Sequence, residues 1–298
     1  MVQKNSLKKV IVIVGPTGVG KTKISIAIAK KYNLEIINAD QSQMRKKLNI
    51  GTAKITSEEM CGVKHHLIDF LEPISEYSIK DFQDDARKII DNLDTIPLIV
   101  GGSGLYVDAL ITNYVLSIKK RDEEHDDKFS SLSNEELYQY LYSLNEEAAL
   151  KTHPNNRKRV LRYIQIIEDN GKLIDTDNTP YYESMIIFLN DDRNVLYDRI
   201  NYRCDKMIEN GWIDEVQDLI NQGYNINDIK EIGYKDIKDY LNNILSYDEL
   251  VNKIKQDTRH YAKRQITWFK NKMNCIEVIN DSNAFETICN LIDSFINQ

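Results

Sequence analysis

Hydrophobic positions along the chain fall into two rhythms. Three short, unbroken apolar runs come first: "KKVIVIVG" at 8–15, "LEIINAD" at 34–40 and "IPLIVGG" at 96–102. Runs that are apolar on both faces predict buried strands of a parallel sheet. Between them the period lengthens to that of a helix. One helix is predicted from Lys21 to about Tyr32. A second, "SIKDFQDDARKIIDNL" (78–93), is amphipathic, with Ser78 as its N-cap. "HHLIDF" (65–70) is a candidate third strand. Strands alternating with helices imply an α/β core with crossover helices.

The rhythm breaks after about Tyr114. Residues 117–175 are polar, with Leu, Tyr and Ile at helical spacing and no strand pattern. "ESMIIFLN" (183–190) then returns as a strand. The middle, 117–182, therefore reads as a helical insert in a core made of 1–116 and 183–298. After Asp192 the pattern is mostly helical, with "CIEVIND" (275–281) as the last strand. No repeat or low-complexity tract is visible.

Composition narrows the class only a little. The 298 residues are 42% hydrophobic and 29% charged, an ordinary globular balance. No apolar run reaches the roughly 18–20 residues of a membrane span. The apolar run near the N-terminus ends in a glycine loop after five residues, Val10–Val14, which argues against a signal peptide. Cys61, Cys204, Cys275 and Cys289 are scattered without C-x-x-C spacing, against a disulfide framework or zinc site and for a cytoplasmic protein. A monomer is expected. His65 and His66 have no metal partners in view and are assigned packing or hydrogen bonding. The net charge of −7 argues against a nucleic-acid partner. Local charge argues the other way: residues 151–163 hold five Lys or Arg and no acid, and 255–272 hold six and one acid.

The strongest chemical signal is the loop after the first strand. Gly15, Pro16, Thr17, Gly18, Val19, Gly20, Lys21 and Thr22 complete the pattern G-x-x-x-x-G-K-[ST]. Glycines let backbone N–H groups converge on a phosphate, Lys21 adds a charge, and Thr22 is placed to ligate Mg²⁺. ATPases carry an acid at the end of a later strand. Here that strand ends in glycines, and the acid, Asp40, ends the second strand instead. From there it faces the phosphates from the acceptor side, as a general base would in a transferase. The plainer alternative is a helix cap.

Other features are weaker alone. "GGSGLY" (101–106) repeats the strand, glycine and helix logic, with Ser103 as a donor. Arg199 and Arg203, four apart, could grip a diphosphate or form a surface salt-bridge ladder with nearby acids, and spacing alone favours the ladder. "RHYAKRQITWFK" mixes Arg259, Lys263, Arg264 and Lys270 with Tyr261, Trp268 and Phe269. That mixture suits looped RNA or an amphipathic helix burying its rings.

Taken in order, these motifs resemble those of the tRNA dimethylallyltransferases, or tRNA isopentenyl transferases. The resemblance runs from residue 10 to about 270 through "GPTGVGKT", "INAD", "IGTAK" (50–54), "HHLID" (65–69), "VGGSGLY", "HPNNRKRVLR" (153–162), "DRINYRCDKMIENG" (198–211), "IGYKD" (232–236) and "YAKRQITWF" (261–269). It implies a P-loop NTPase-like parallel sheet with an inserted helical domain that clasps the anticodon stem-loop. It implies transfer of a dimethylallyl group from dimethylallyl diphosphate, with Mg²⁺, to the N6 amine of the adenine 3′ to the anticodon in tRNAs reading U-starting codons. Asp40 matches the general base, Ser103 a residue near the reacting groups, and Arg203 a diphosphate-gripping arginine. Asp40, Gln41, Ser42, Gln43 and Ser103, the run Lys158, Arg159, Val160, Leu161, Arg162, and Gly233, Tyr234, Lys235, Arg264 and Gln265 align with tRNA-contacting segments. His125 aligns with a tRNA-contacting arginine. Gln41 stands where the family usually has serine, Arg45 where it has tyrosine, and Ser103 where it has threonine. The absence of a cysteine–histidine zinc module points to a bacterial-type enzyme. The alternatives are an adenylate isopentenyltransferase acting on free nucleotide, a P-loop small-molecule kinase, and a non-catalytic RNA-binding protein.

Overall fold

The computed structural model describes residues 7–114, 122–169 and 176–298. β1 (Lys9–Val14) leads through a loop into α1 (Lys21–Tyr32). β2 (Ile36–Asn38) is followed by a 3-10 turn at Ser42–Met44, α2 (Ser57–Met60) and β3 (His65–His66). α3 (Ile79–Asp91) crosses to β4 (Leu98–Gly101), and α4 (Gly104–Ile111) runs into β5 (Thr112–Tyr114). Helices α5 (Glu123–Asp127), α6 (Asn134–Leu144), α7 (Glu146–Leu150) and α8 (Arg157–Glu168) precede β6 (Thr176–Pro180). β7 (Glu183–Asn190) returns to the core, followed by α9 (Arg193–Glu209), α10 (Trp212–Asn221), α11 (Tyr234–Leu241) and α12 (Tyr247–Lys272). β8 (Ile276–Ile279) and α13 (Ala284–Ile296) complete it.

Six strands form one parallel sheet in the order β3-β2-β4-β1-β7-β8. β1 is central, with Val12 opposite Ile99 on one side and Ile186 on the other. Residues Val10 to Val14 are wholly buried because the strand's two faces feed two different cores. Ile11 and Ile13 join one with α1 and the later helices, while Val10, Val12 and Val14 join another with Phe82, Tyr106 and Phe269. Ser78 caps α3 reciprocally, accepting from the Asp81 amide (3.2 Å) while the Asp81 carboxylate accepts from the Ser78 amide (2.8 Å).

Two expectations are corrected. The third strand is only His65–His66, because Leu67 and Asp69 adopt positive φ (58° and 55°) and break it. The insert 117–182 is not all helical: its last part holds β6, which pairs antiparallel with β5 just before the insert, Thr112 opposite Pro180 and Tyr114 opposite Thr176. "TDNTP" carries no apolar alternation, so only its partner strand makes it extended. The parts of the predicted insert at 117–121 and 170–175 lie outside the described residues. Helices α6 to α8 pack around their own core of Leu137, Leu141, Ala149, Val160 and Ile164. All four cysteines are free. Among the described residues, no helix is long and apolar enough to cross a membrane.

Candidate active site

The carboxyl ends of β1, β2 and β4 open onto one crevice. On one side is the glycine loop. Gly18 (φ 81°) and Gly20 (φ 94°) take left-handed conformations that strain any residue with a Cβ. Asn280 ties the loop down, its Nδ2 donating to the Val19 carbonyl at 2.7 Å. Lys21 opens α1 and folds back, its Nζ donating to the carbonyls of Gly15 (2.8 Å) and Pro16 (2.9 Å). Burial pushes the Lys21 ammonium down to about 8; Asp40 opposes the shift and Arg203 adds to it. Thr22 follows, exposed at the helix start. Among the described residues no cluster of three His, Cys, Asp or Glu could hold a metal ion. A lone threonine hydroxyl fits Mg²⁺ only as an ion that arrives on phosphate oxygens.

Opposite the loop stands Asp40. Buried Asn38 cradles it, accepting from the Asp40 amide (3.0 Å) and donating to the Asp40 carbonyl (3.0 Å). Asp40 Oδ1 accepts from the Ser42 amide at 3.1 Å, a local bond that steadies the turn with one oxygen, while the 3-10 turn itself is capped at Gln41 without a side-chain bond. Ser103 starts α4, and its hydroxyl accepts from the Gln41 amide at 3.3 Å. The Tyr261 hydroxyl lies in hydrogen-bonding reach of Ser103, and burial and Asp40 both hold the phenol well above its ordinary range. Tyr261 is thus part of the site. Its sequence context suggested base stacking or burial in an amphipathic helix, not a place beside Asp40.

α9 separates the two arginines. Arg199 pairs with Asp191 at 2.6 Å, as in a ladder. Four residues on, the helix has turned about 40° further, and Arg203 is half-buried within electrostatic reach of Asp40 and Lys21. Burial pulls its guanidinium below the usual arginine range. The crevice therefore sets two cations against one carboxylate.

Several residues aligned with RNA contacts are placed elsewhere. Val160 and Leu161 face the core of the α6–α8 helices, whereas Lys158 and Arg159 are exposed. Arg162, half-buried, donates to Gln165 at 2.8 Å. His125 is buried, its Nε2 paired with Glu168 Oε2 at 2.6 Å and its ring against Phe129, so it offers no surface for RNA. Gly233 and Tyr234 are buried beside Trp212, leaving Lys235 exposed. Ser42 and Gln43 are half-buried in the turn after Asp40. Arg264 is exposed, but Gln265 is 5% exposed. Its Oε1 accepts from the Thr17 amide (2.9 Å) and its Nε2 donates to the Gly102 carbonyl (2.9 Å). Gln265 thus rivets the two glycine loops together. Gln265→Leu would leave both backbone groups unpaired and should lower stability by about 2 kcal/mol, read as a lower urea midpoint at unchanged slope. An unchanged midpoint would contradict this role.

Glu215 was not singled out from sequence. Its Oε2 accepts from the amides of Asn49 (2.8 Å) and Ile50 (2.7 Å), and its Oε1 from Gly51 (3.2 Å) and the Tyr234 hydroxyl (2.7 Å). "IGTAK" and "IGYKD" are thereby locked together by a carboxylate in a backbone nest. Nothing local marks Glu215; its partners are about 165 residues away.

The IPP transferase family model matches residues 43–272. A tRNA dimethylallyltransferase of Staphylococcus saprophyticus is 43% identical over 289 residues, 92% of each chain. The crystal structure of the tRNA isopentenylpyrophosphate transferase of Bacillus halodurans superposes with a TM-score of 0.74 at 39% identity, covering 96% of each chain. A eukaryotic dimethylallyltransferase, described as acting on tRNA, superposes with a TM-score of 0.82 at 27% identity, covering 97% of this chain and 80% of that one. A family match over more than half of its length and a relative 43% identical over 92% of each chain show that the chain belongs to the IPP transferase family.

Proposed function

We propose that this protein transfers the dimethylallyl group of dimethylallyl diphosphate to the N6 amine of the adenine 3′ to the anticodon, in tRNAs reading U-starting codons. The observation that carries this reading is Asp40 facing Lys21 and Arg203 across the crevice. A carboxylate there suits an acceptor amine, and paired cations suit a departing diphosphate. The C–O bond to the allylic carbon breaks and its electron pair leaves with the diphosphate. The adenine nitrogen forms the new C–N bond, and its proton goes to Asp40. Lys21, Arg203 and the loop amides hold charge where it develops. Mg²⁺, held by Thr22 and phosphate oxygens, would further neutralise the leaving group. Ser103 and Tyr261 line the acceptor side and orient the amine. A stacked loop base cannot enter such a crevice, so the adenine is flipped out. Lys158, Arg159, Lys235 and Arg264, all exposed, supply cations for the RNA backbone. A soluble cytoplasmic monomer completes the reading.

The purified protein, given dimethylallyl diphosphate, Mg²⁺ and an anticodon stem-loop with adenine 3′ to the anticodon, should yield isopentenyladenosine on nucleoside mass spectrometry. Binding to that stem-loop should weaken steeply with salt. Equal transfer to free adenylate, or γ-phosphate transfer from ATP, would overturn the assignment.

A further inference from the structure

Arg45 and Glu231 form a buried ion pair that the chemistry above does not use. Arg45 closes the turn Ser42–Met44, just after Asp40. Its side chain is 10% exposed, with Nε 3.2 Å from Oε1 of Glu231, itself 8% exposed. Its Nη1 donates to the carbonyls of Pro73 (2.9 Å) and Ser75 (3.0 Å), and more loosely to Glu72 (3.3 Å). Its own carbonyl accepts from Lys54 Nζ at 2.5 Å. One side chain thus joins the turn that follows Asp40, the loop at 72–75 and the segment leading into α11. Asp40 is within electrostatic reach of Glu231, so the pair lies close to the reacting groups.

Stability alone is a poor account of this arrangement. Burial holds the Glu231 carboxyl above its ordinary range even with the Arg45 guanidinium beside it, so its charged form is kept in the interior at a cost. Packed apolar side chains in place of a buried ion pair are often as stable or more so. What a charged, multiply bonded arginine adds is a single fixed geometry: its planar fork holds several acceptors at set angles.

We propose that Arg45 and Glu231 are positioning residues for prenyl transfer, fixing the turn behind Asp40 so that its carboxylate meets the acceptor amine at a productive distance and angle. The proposal rests on the reading of Asp40 as the general base.

The test compares full-length Arg45→Met, Glu231→Met and the double variant Arg45→Met/Glu231→Met with the unmodified protein. Three quantities are read: the single-turnover transfer rate at saturating substrates, the dissociation constants for the anticodon stem-loop and for inorganic diphosphate, and the urea midpoint. Each single variant leaves a buried charge unpaired and should lose stability. The double variant should recover part of the midpoint and not all of it, since the carbonyls of Pro73 and Ser75 still lack their donor. Its rate should nevertheless stay about tenfold or more below the unmodified protein, since small misplacements of reacting groups are costly, with both dissociation constants unchanged. A double variant with the unmodified rate overturns the proposal, as does one whose slower transfer follows only from weaker binding. If the single variants do not fold, the double variant decides. Failure of the unmodified protein to transfer any prenyl group would instead defeat the assigned reaction.

Discussion

Asp40→Asn should slow dimethylallyl transfer by about 10³-fold, within the usual range for losing a positioned general base. The substitution is close to isosteric. Its amide oxygen can still accept from the Ser42 amide, as Asp40 Oδ1 does at 3.1 Å, so the turn after β2 keeps that bond. Asn38 still cradles the backbone on either side. What is lost is a group that can take the amine proton as the C–N bond forms. Stem-loop binding, measured by filter retention, should be unchanged, and so should the urea midpoint. The rate should fall at saturating concentrations of both substrates, marking an interaction made in the transition state rather than in binding. Unaltered transfer by Asp40→Asn would remove the base assignment.

Lys21→Ala should cost about 10²–10³-fold in transfer, the scale for losing one charged donor to a leaving group. Here the loss should appear in diphosphate binding as well. In the ligand-free protein Lys21 is spent on the carbonyls of Gly15 and Pro16, and burial has brought its ammonium down to about 8. A bound diphosphate favours the charged form and draws the proton back. Below pH 8 the ammonium is already present and affinity is full. Above it, binding requires proton uptake, and affinity should fall by up to about tenfold per pH unit. Calorimetry at pH 8.5 in two buffers of different ionisation enthalpy should register that uptake, and Lys21→Ala should abolish it. Proton release on binding would reverse the sign and refute the account.

The sheet was largely legible from the sequence because its strands are continuous apolar runs. The predicted "ESMIIFLN" coincides with β7 at Glu183–Asn190, and Lys21–Tyr32 with α1. The glycine loop and Asp40 were legible because their chemistry is local: a spacing, or an acid at a strand's end. What a linear motif does not record is which way each residue turns. "KRVLR" alternates between an RNA-accessible face at Lys158 and Arg159 and a core face at Val160 and Leu161, as any amphipathic helix must. Gln265, Tyr234 and His125 belong to motifs aligned with RNA contact, yet Gln265 is tied to Thr17 and Gly102, Tyr234 to Glu215, and His125, through Nε2, to Glu168. The Glu215 nest and the Arg45–Glu231 pair join segments far apart in sequence, so no window of neighbours contains them. β6 was invisible for the same reason: its extended form comes from β5.

The β5–β6 ribbon carries a thermodynamic consequence. Both ends of the α5–α8 segment leave the sheet side by side, and its apolar residues pack among themselves. Opening that segment leaves every hydrogen bond of the six-stranded ladder in place. It is therefore expected to open as a separate cooperative unit, its amides exchanging hydrogen faster than those of the six-stranded sheet. RNA held on Lys158 and Arg159 would draw its binding energy from this weaker unit, so that gripping the substrate and keeping the catalytic crevice intact are energetically decoupled.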